Sequence, residues 1–314
     1  MMNALRSPVL PIDTYPVAAK GETDSWSGIN KPVKVVSESG DSFVAKSNTY
    51  GKFISLHPDH DTRLTNVKEV VASHIVADEL GLPTLTFQEG YLIADGQRTE
   101  RILSPLCSNF KPLSETTLDS IKDGDAAVAL SITLGWLGDH DTTFNDSNVW
   151  VRDDGQLMGA DYGFSCRPGI EVAGVPFANR KVMNEFATRE NVSAATERIT
   201  ALTDEEIHRM VERQGSRWIH DWNPAMEQPM AEALIANRDQ LREENPYLGY
   251  VEGIHPLLHD NLLSKANALR FHWEASHSQL PPLNRPDQIL DVLSGAARVA
   301  HLKPLANLLE SLRS

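Results

Sequence analysis

An acidic loop and a carboxylate downstream of it contain the residue types best suited to chemistry in this chain. The loop at residues 138–148 contains three aspartates and two asparagines, and Asp161 follows in Asp161-Tyr162-Gly163. Carboxylate and amide oxygens are ligands for Mg²⁺, and a carboxylate can orient an attacking hydroxyl for phosphoryl transfer. Such residues also form ordinary turns by bonding their own backbone, so the loop alone leaves both interpretations open.

Phosphoryl transfer also needs a cation for the phosphates, and Lys46 is the candidate. It ends a predicted strand that follows a turn at Gly40. Glu69, on the next predicted helix, could pair with Lys46, and Glu79 is the alternative partner. Each of these charged residues alone is more typical of a solvated surface. The order of lysine, glutamate, acidic loop and Asp161 is what indicates a site.

These residues need elements that bring them together. The first part of the chain predicts a β-hairpin, then a helix over 67–80 that Gly81 and Pro83 end, and then more strands. The hairpin strands are 33–36 and 43–46, and the later strand-like runs are 85–87, 90–94 and 100–103.

The second part predicts the elements around the acidic loop. An apolar helix over 126–137 leads into the loop, and a hairpin of 149–151 with 157–160 leads out of it to Asp161. From about residue 182 the pattern is helical, with a capping signature at 203–206 and a helix over 229–243.

Composition excludes several functions. The chain has 314 residues and a net charge of −14, which does not fit a nucleic-acid surface rich in Lys and Arg. It has two cysteines, Cys107 and Cys166, without metal-ligand spacing, so we expect a reducing compartment. No apolar run predicts a membrane span or a cleaved signal peptide. A cytoplasmic location is therefore expected, with export by a non-cleaved signal left open.

The ordered motifs resemble those of the HipA-like kinases and, more distantly, of phosphatidylinositol kinases and eukaryotic protein kinases. The resemblance covers roughly residues 33–245. Its pieces are Phe43-Val44-Ala45-Lys46, Glu69 with Glu79-Leu80-Gly81-Leu82-Pro83, residues 138–151, Asp161-Tyr162-Gly163, Leu202-Thr203-Asp204-Glu205-Glu206-Ile207 and residues 238–241.

The resemblance implies an α+β, two-lobed protein-kinase-like fold. A small β-rich N-lobe would span 29–108 and a mainly helical C-lobe 109–250. A flexible arm at 1–28 and a helical extension at 251–314 would flank them. The bound groups would be ATP and Mg²⁺, and the acceptor Ser or Thr of a protein.

The resemblance also assigns roles to residues. Lys46, paired with Glu69, would contact the α- and β-phosphates, and Asp141 would be the catalytic carboxylate. Asn148 and Asp161 would bind the metal, and Ser104 and Leu106 would lie near the adenine.

Two alternatives remain. Six residues separate Asp141 from Asn148, where the kinase pattern has four, which favours a kinase-like enzyme that transfers AMP or a pseudokinase that only binds ATP. The other is a non-enzymatic interaction protein that binds through its C-terminal extension, where 289–312 is amphipathic. Amphipathic helices more often pack on their own core.

Overall fold

The computed structural model describes residues 15–16, 33–36, 40–46, 62–94, 97–106, 109–139, 142, 146–168, 171–172, 175–176 and 178–253. These residues form a mixed α+β structure with small, mostly antiparallel sheets and several helices. The proposed extension beyond residue 253, including 289–312, lies outside the described residues.

Strands dominate the first part of the chain and helices the second. The strands are β1 (Tyr15–Pro16), β2 (Val33–Val36), β3 (Ser42–Lys46), β4 (Gln88–Ala94), β5 (Gln97–Pro105), β6 (Phe110–Pro112), β7 (Val149–Arg152), β8 (Leu157–Gly159), β9 (Glu171–Val172) and β10 (Val175–Pro176). The helices are α1 (Thr62–His74), α2 (Gly124–Trp136), α3 (Arg180–Phe186), α4 (Arg189–Thr200), α5 (Asp204–Trp218), α6 (Pro224–Glu243) and α7 (Pro246–Val251).

The largest sheet has the order β1-β4-β5-β3-β2 and is antiparallel except for the β1–β4 pair. The predicted hairpin is confirmed as β2–β3, with Gly40 at φ +88° in its turn. Tyr15–Pro16 fall in the segment expected to be a flexible arm, yet they pair with β4 and belong to the sheet. The rest of residues 1–28 lies outside the described residues.

The predicted helix is confirmed as α1, followed by a π-helical turn at Ile75–Glu79. Gly81 has φ +62°, and the N–H of Leu82 donates to the Val76 carbonyl, so the chain ends the helix where glycine predicts it. The strand expected at 85–87 is wrong. Thr84 makes only an isolated bridge with Gly159, and residues 85–87 belong to no strand and connect Thr84 to β4.

The predicted hairpin around the acidic loop is confirmed as β7–β8, and β6 extends it to three strands. The apolar helix is confirmed as α2, which is buried on most sides and packs against α3, α4 and α6. The capping signature is confirmed at Thr203 and Glu206, at the start of α5. Helix α6 begins at Pro224, earlier than expected, because Asn223 caps its start. Pro229, the expected first residue, lies inside the helix.

The main core includes residues of α1, α2 and α5 together with the β7–β8 hairpin. Within it, α1 contacts both α5 and α6. Through Glu69, α1 also pairs with Lys46 of the large sheet, so it contacts both that sheet and the helical part of the chain. In the described part of the chain, no helix is long and apolar enough to cross a membrane.

Candidate active site

Lys46, Glu69 and Asp161 meet although they come from three separate elements. Lys46 ends β3, Glu69 lies in the middle of α1, and Asp161 follows β8. Lys46 Nζ forms an ion pair with Glu69 Oε1 and lies 3.1 Å from Asp161 Oδ1. The structure thus brings together one cation and two carboxylates that the sequence singled out.

Burial and the neighbouring charges together set the charge states of Lys46 and Glu69. Burial alone lowers the pKa of Lys46, but the carboxylates of Asp161 and Glu69 outweigh it and leave that pKa above its usual range. Burial raises the pKa of Glu69, which the Lys46 ammonium opposes. Lys46 is therefore held as a cation, and Glu69 depends on Lys46 to stay ionised.

Phe87 is a third neighbour of Lys46 that the sequence did not single out. Lys46 Nζ lies 4.6 Å from the centre of the Phe87 ring, within the range of a cation–π contact. Phe87 ends the apolar run expected to be a strand. An aromatic residue ending such a run was the available signal, but the contact with Lys46 depends on long-range packing.

Asp161 is held in an uncommon backbone conformation with φ +68°. Its carbonyl accepts a hydrogen bond of 2.8 Å from Thr142 Oγ1. The next residue, Tyr162, is fully buried, and its hydroxyl contacts Thr84 Oγ1. A non-glycine residue in this region is strained unless its surroundings hold it there. The side chain of Asp161 is 29% exposed, so it can still reach a ligand.

Two other acids of the loop have structural partners. Asp139 is fully buried and accepts hydrogen bonds from the Thr142 N–H at 3.1 Å and from Ser165 Oγ at 3.0 Å. Asp139 therefore joins the loop to the segment after Asp161, as expected of an acid that shapes a turn.

Asp146 accepts from Asn179 Nδ2 at 2.9 Å and pairs with Lys181 Nζ at 2.6 Å. It is therefore committed to the start of α3. Asp141, the predicted catalytic carboxylate, lies outside the described residues. The loop next to it is fixed at Thr142, whose hydroxyl reaches Asp161.

Asn148 lies opposite Ala160, the residue before Asp161, at the open end of the β7–β8 hairpin. Its carbonyl accepts from the Ala160 N–H at 2.9 Å, which continues the hairpin pairing by one residue. No group of three or more His, Cys, Asp or Glu residues is arranged to hold a metal within the described parts of the chain. Mg²⁺ commonly uses one or two carboxylates with waters and substrate phosphates, and a partly exposed Asp161 suits that arrangement.

Ser104 and Leu106 lie at the end of β5. Ser104 is directly opposite Val44 of β3, and such partners share a sheet face, so Ser104 is on the same face as Lys46. Among the described residues its buried Oγ has no hydrogen-bond partner, and such an atom calls for one. The Leu106 N–H donates to the Ser42 carbonyl at 2.9 Å, so it is not available to a ligand in this arrangement.

Glu79, the alternative partner for Lys46, is committed elsewhere. Its carboxylate accepts from Arg213 Nη1 and from Gln214 Nε2 of α5. The structure therefore pairs Glu69, and not Glu79, with Lys46.

A scan against protein-family models gives no match, and a search of curated proteins gives no significant match. The kinase resemblance therefore rests on the residues and their geometry alone.

Proposed function

We propose that this chain is an ATP- and Mg²⁺-dependent kinase of the HipA-like type that phosphorylates Ser or Thr of a protein. The observation that carries the proposal is the contact of Lys46 with both Glu69 and Asp161. A strand lysine, a helix glutamate and an aspartate after a hairpin are the parts that protein kinases use around the phosphates. The proposal includes two lobes with the nucleotide between them, and a cytoplasmic location.

The residues would divide the work as follows. Lys46 stays charged and would bind phosphate oxygens, while Glu69 fixes its position. Asp161 and Asn148 would hold Mg²⁺, which supplies charge neutralisation on the phosphates when bound. The Ser104 hydroxyl, on the same sheet face as Lys46, would bond the nucleotide base. Asp141 would orient the acceptor hydroxyl.

AMP transfer is the second candidate, favoured by the six residues between Asp141 and Asn148. The two reactions share the nucleotide site but differ in what leaves it. Phosphoryl transfer releases ADP, whereas transfer of AMP releases pyrophosphate. A pseudokinase or an interaction protein would release neither product.

The test is to incubate the full chain with ATP, Mg²⁺ and dephosphorylated casein. Protein masses and released nucleotides are then measured together. A gain of phosphate with ADP release is the expected result. A gain of AMP with pyrophosphate selects the second candidate, and the absence of both modifications contradicts both enzymatic proposals.

The matched control replaces Asp146, an acid of the neighbouring loop. Asp161→Asn should abolish transfer, because it removes the charge of the metal ligand. Asp146→Asn should retain it, because Asp146 contacts Lys181 and Asn179. Equal activity of the two variants would separate any observed transfer from the proposed site.

A further inference from the structure

Helix α5 contacts the π-helical turn that follows α1, the helix that contains Glu69. Arg213 Nη1 lies 3.1 Å from each carboxylate oxygen of Glu79, and Gln214 Nε2 lies 2.7 Å from Glu79 Oε1. Glu79 is in the π-helical turn that follows α1. Such turns are rare in proteins overall, and those that occur are often at functional sites. The contact between α5 and this turn therefore points to a functional role.

A second contact lies one turn closer to Glu69. The rings of His74 and Trp218 stack with centroids 4.1 Å apart and planes 12° apart. His74 is the last residue of α1 and Trp218 the last of α5. Together with the Glu79 contacts, the stack fixes both the position and the rotation of α1 about its axis. Rotation would turn Glu69 away from Lys46.

The same histidine also reaches the other side of Lys46. His74 Nε2 lies 3.0 Å from the Phe87 carbonyl oxygen, and the Phe87 N–H donates to Ser73 Oγ at 3.1 Å. The Phe87 ring lies against the Lys46 ammonium. The end of α1 therefore positions two neighbours of Lys46. Glu69 lies on the helix itself, and Phe87 lies in the connection to β4.

Two buried polar atoms of this contact have no hydrogen-bond partner among the described residues. They are Gln214 Oε1 and Trp218 Nε1. Buried polar atoms in that state cost stability, and each calls for an explanation such as a functional role or a bound water.

We propose that Arg213 and Trp218 of α5 are positioning residues for the Lys46–Glu69 pair. They act through Glu79 and His74, and neither touches Lys46. Displacement of this end of α5 would release Glu69 and change the environment of Lys46. The consequence for turnover rests on the proposed kinase function, whereas the effect on Lys46 does not.

The test measures the reactivity of Lys46 in the full chain without nucleotide. Trace acetylation with acetic anhydride, followed by peptide mass spectrometry, reports Lys46 relative to the exposed Lys122. Release of Glu69 leaves the Lys46 amine less enclosed and more accessible to the reagent, so labelling should rise. We expect Arg213→Ala and Trp218→Leu to raise it about 2- to 30-fold, the range of typical coupling energies.

Arg209→Ala is the matched control. Arg209 lies one turn earlier on α5, is exposed, and donates to the Glu205 carbonyl of its own helix. Its replacement should leave Lys46 labelling unchanged. The reversed pair Glu79→Lys with Arg213→Glu should restore labelling toward the value of the unchanged protein.

A purely structural role gives a different result. Melting temperatures would fall, but Lys46 labelling in the folded variants would stay constant, and that outcome overturns the proposal. Arg213 has a side chain that is 58% exposed, so Arg213→Ala keeps the test decisive even if Trp218→Leu does not fold. Changed labelling in a chain that transfers neither phosphate nor AMP would support positioning and contradict the proposed function.

Discussion

Lys46 and Glu69 depend on each other for their charges. Glu69 has a side chain that is only 2% exposed, and burial raises its pKa. An ionised carboxylate in such a place requires a cation, because removing one partner of a buried pair leaves an uncompensated charge. The pair could be proposed from the sequence, since the lysine ends a strand and the glutamate lies on the next helix. The choice of Glu69 over Glu79 could not, because it depends on which residue α5 engages.

Replacement of Lys46 by methionine should make stability depend on pH in a defined direction. Burial already makes the native state bind a proton on Glu69 more tightly than the unfolded chain does, and loss of the Lys46 cation strengthens this preference. Stability should therefore fall as pH rises above 4.5, the ordinary pKa of glutamate. We expect Lys46→Met to lose about 1–3 kcal/mol more at pH 8 than at pH 5, at about 1.4 kcal/mol per pKa unit. Urea unfolding at both pH values measures this loss.

The control is the double variant Lys46→Met with Glu69→Gln. It lacks the titrating carboxylate, so the additional loss at pH 8 that Lys46→Met shows should be absent. If Lys46→Met alone already shows no pH-dependent loss, Glu69 is not the buried carboxylate that Lys46 neutralises.

At the scale of elements, a tight crossing positions Asp161. The N–H of Cys166 donates to the Leu137 carbonyl at the end of α2 at 2.7 Å. Asn237 of α6 donates to the carbonyls of Trp136 and Arg167, both at 2.7 Å. Gly138 lies inside this crossing with φ +66°. The glycine after a buried helix was readable as a helix end, but the close approach of Arg167 was not.

Gly138→Ala should be far more destabilising than the same change at Gly81. Both glycines have positive φ, so each alanine carries a backbone cost of about 1–2 kcal/mol. A Cβ at Gly138 would lie 2.2 Å from the Arg167 carbonyl oxygen, whereas one at Gly81 meets nothing within 4 Å. Overpacking adds about 1–3 kcal/mol, which denaturant unfolding of the two variants can resolve. Equal losses would mean that the crossing is loose.

At the scale of the whole molecule, local sequence patterns predicted the helices and strands better than they predicted the contacts between them. The hairpins, α1, α2 and the capped start of α5 follow from short-range signals such as Gly40, Gly81 and Thr203. The pairing of Tyr15–Pro16 with β4 and the absence of a strand at 85–87 do not, because distant residues decide them. The contacts of Phe87 and Trp218 could not be predicted for the same reason, because they join segments far apart in the sequence.

The thiol reactivity of Cys166 reports how readily the helical part of the chain opens near the site. It is buried, and burial raises its pKa to about 12 from an ordinary 9.0. The thiolate fraction should then be about 10³-fold lower than for an exposed thiol, and thiolate is the reactive form. In a Cys107→Ser variant, native protein should react very slowly with a disulfide reagent such as DTNB and rapidly in denaturant. Fast reaction of the native protein would show that this region opens readily.

The central claim is that Lys46, Glu69 and Asp161 form a nucleotide site. The most direct measurement is calorimetric titration of ATP into the full chain, with and without Mg²⁺, for the unchanged protein and for Asp161→Asn. We predict saturable binding that Mg²⁺ strengthens, and loss of this Mg²⁺ effect in Asp161→Asn. No binding of ATP at millimolar concentration with Mg²⁺, or an equal Mg²⁺ effect in both proteins, would contradict the claim.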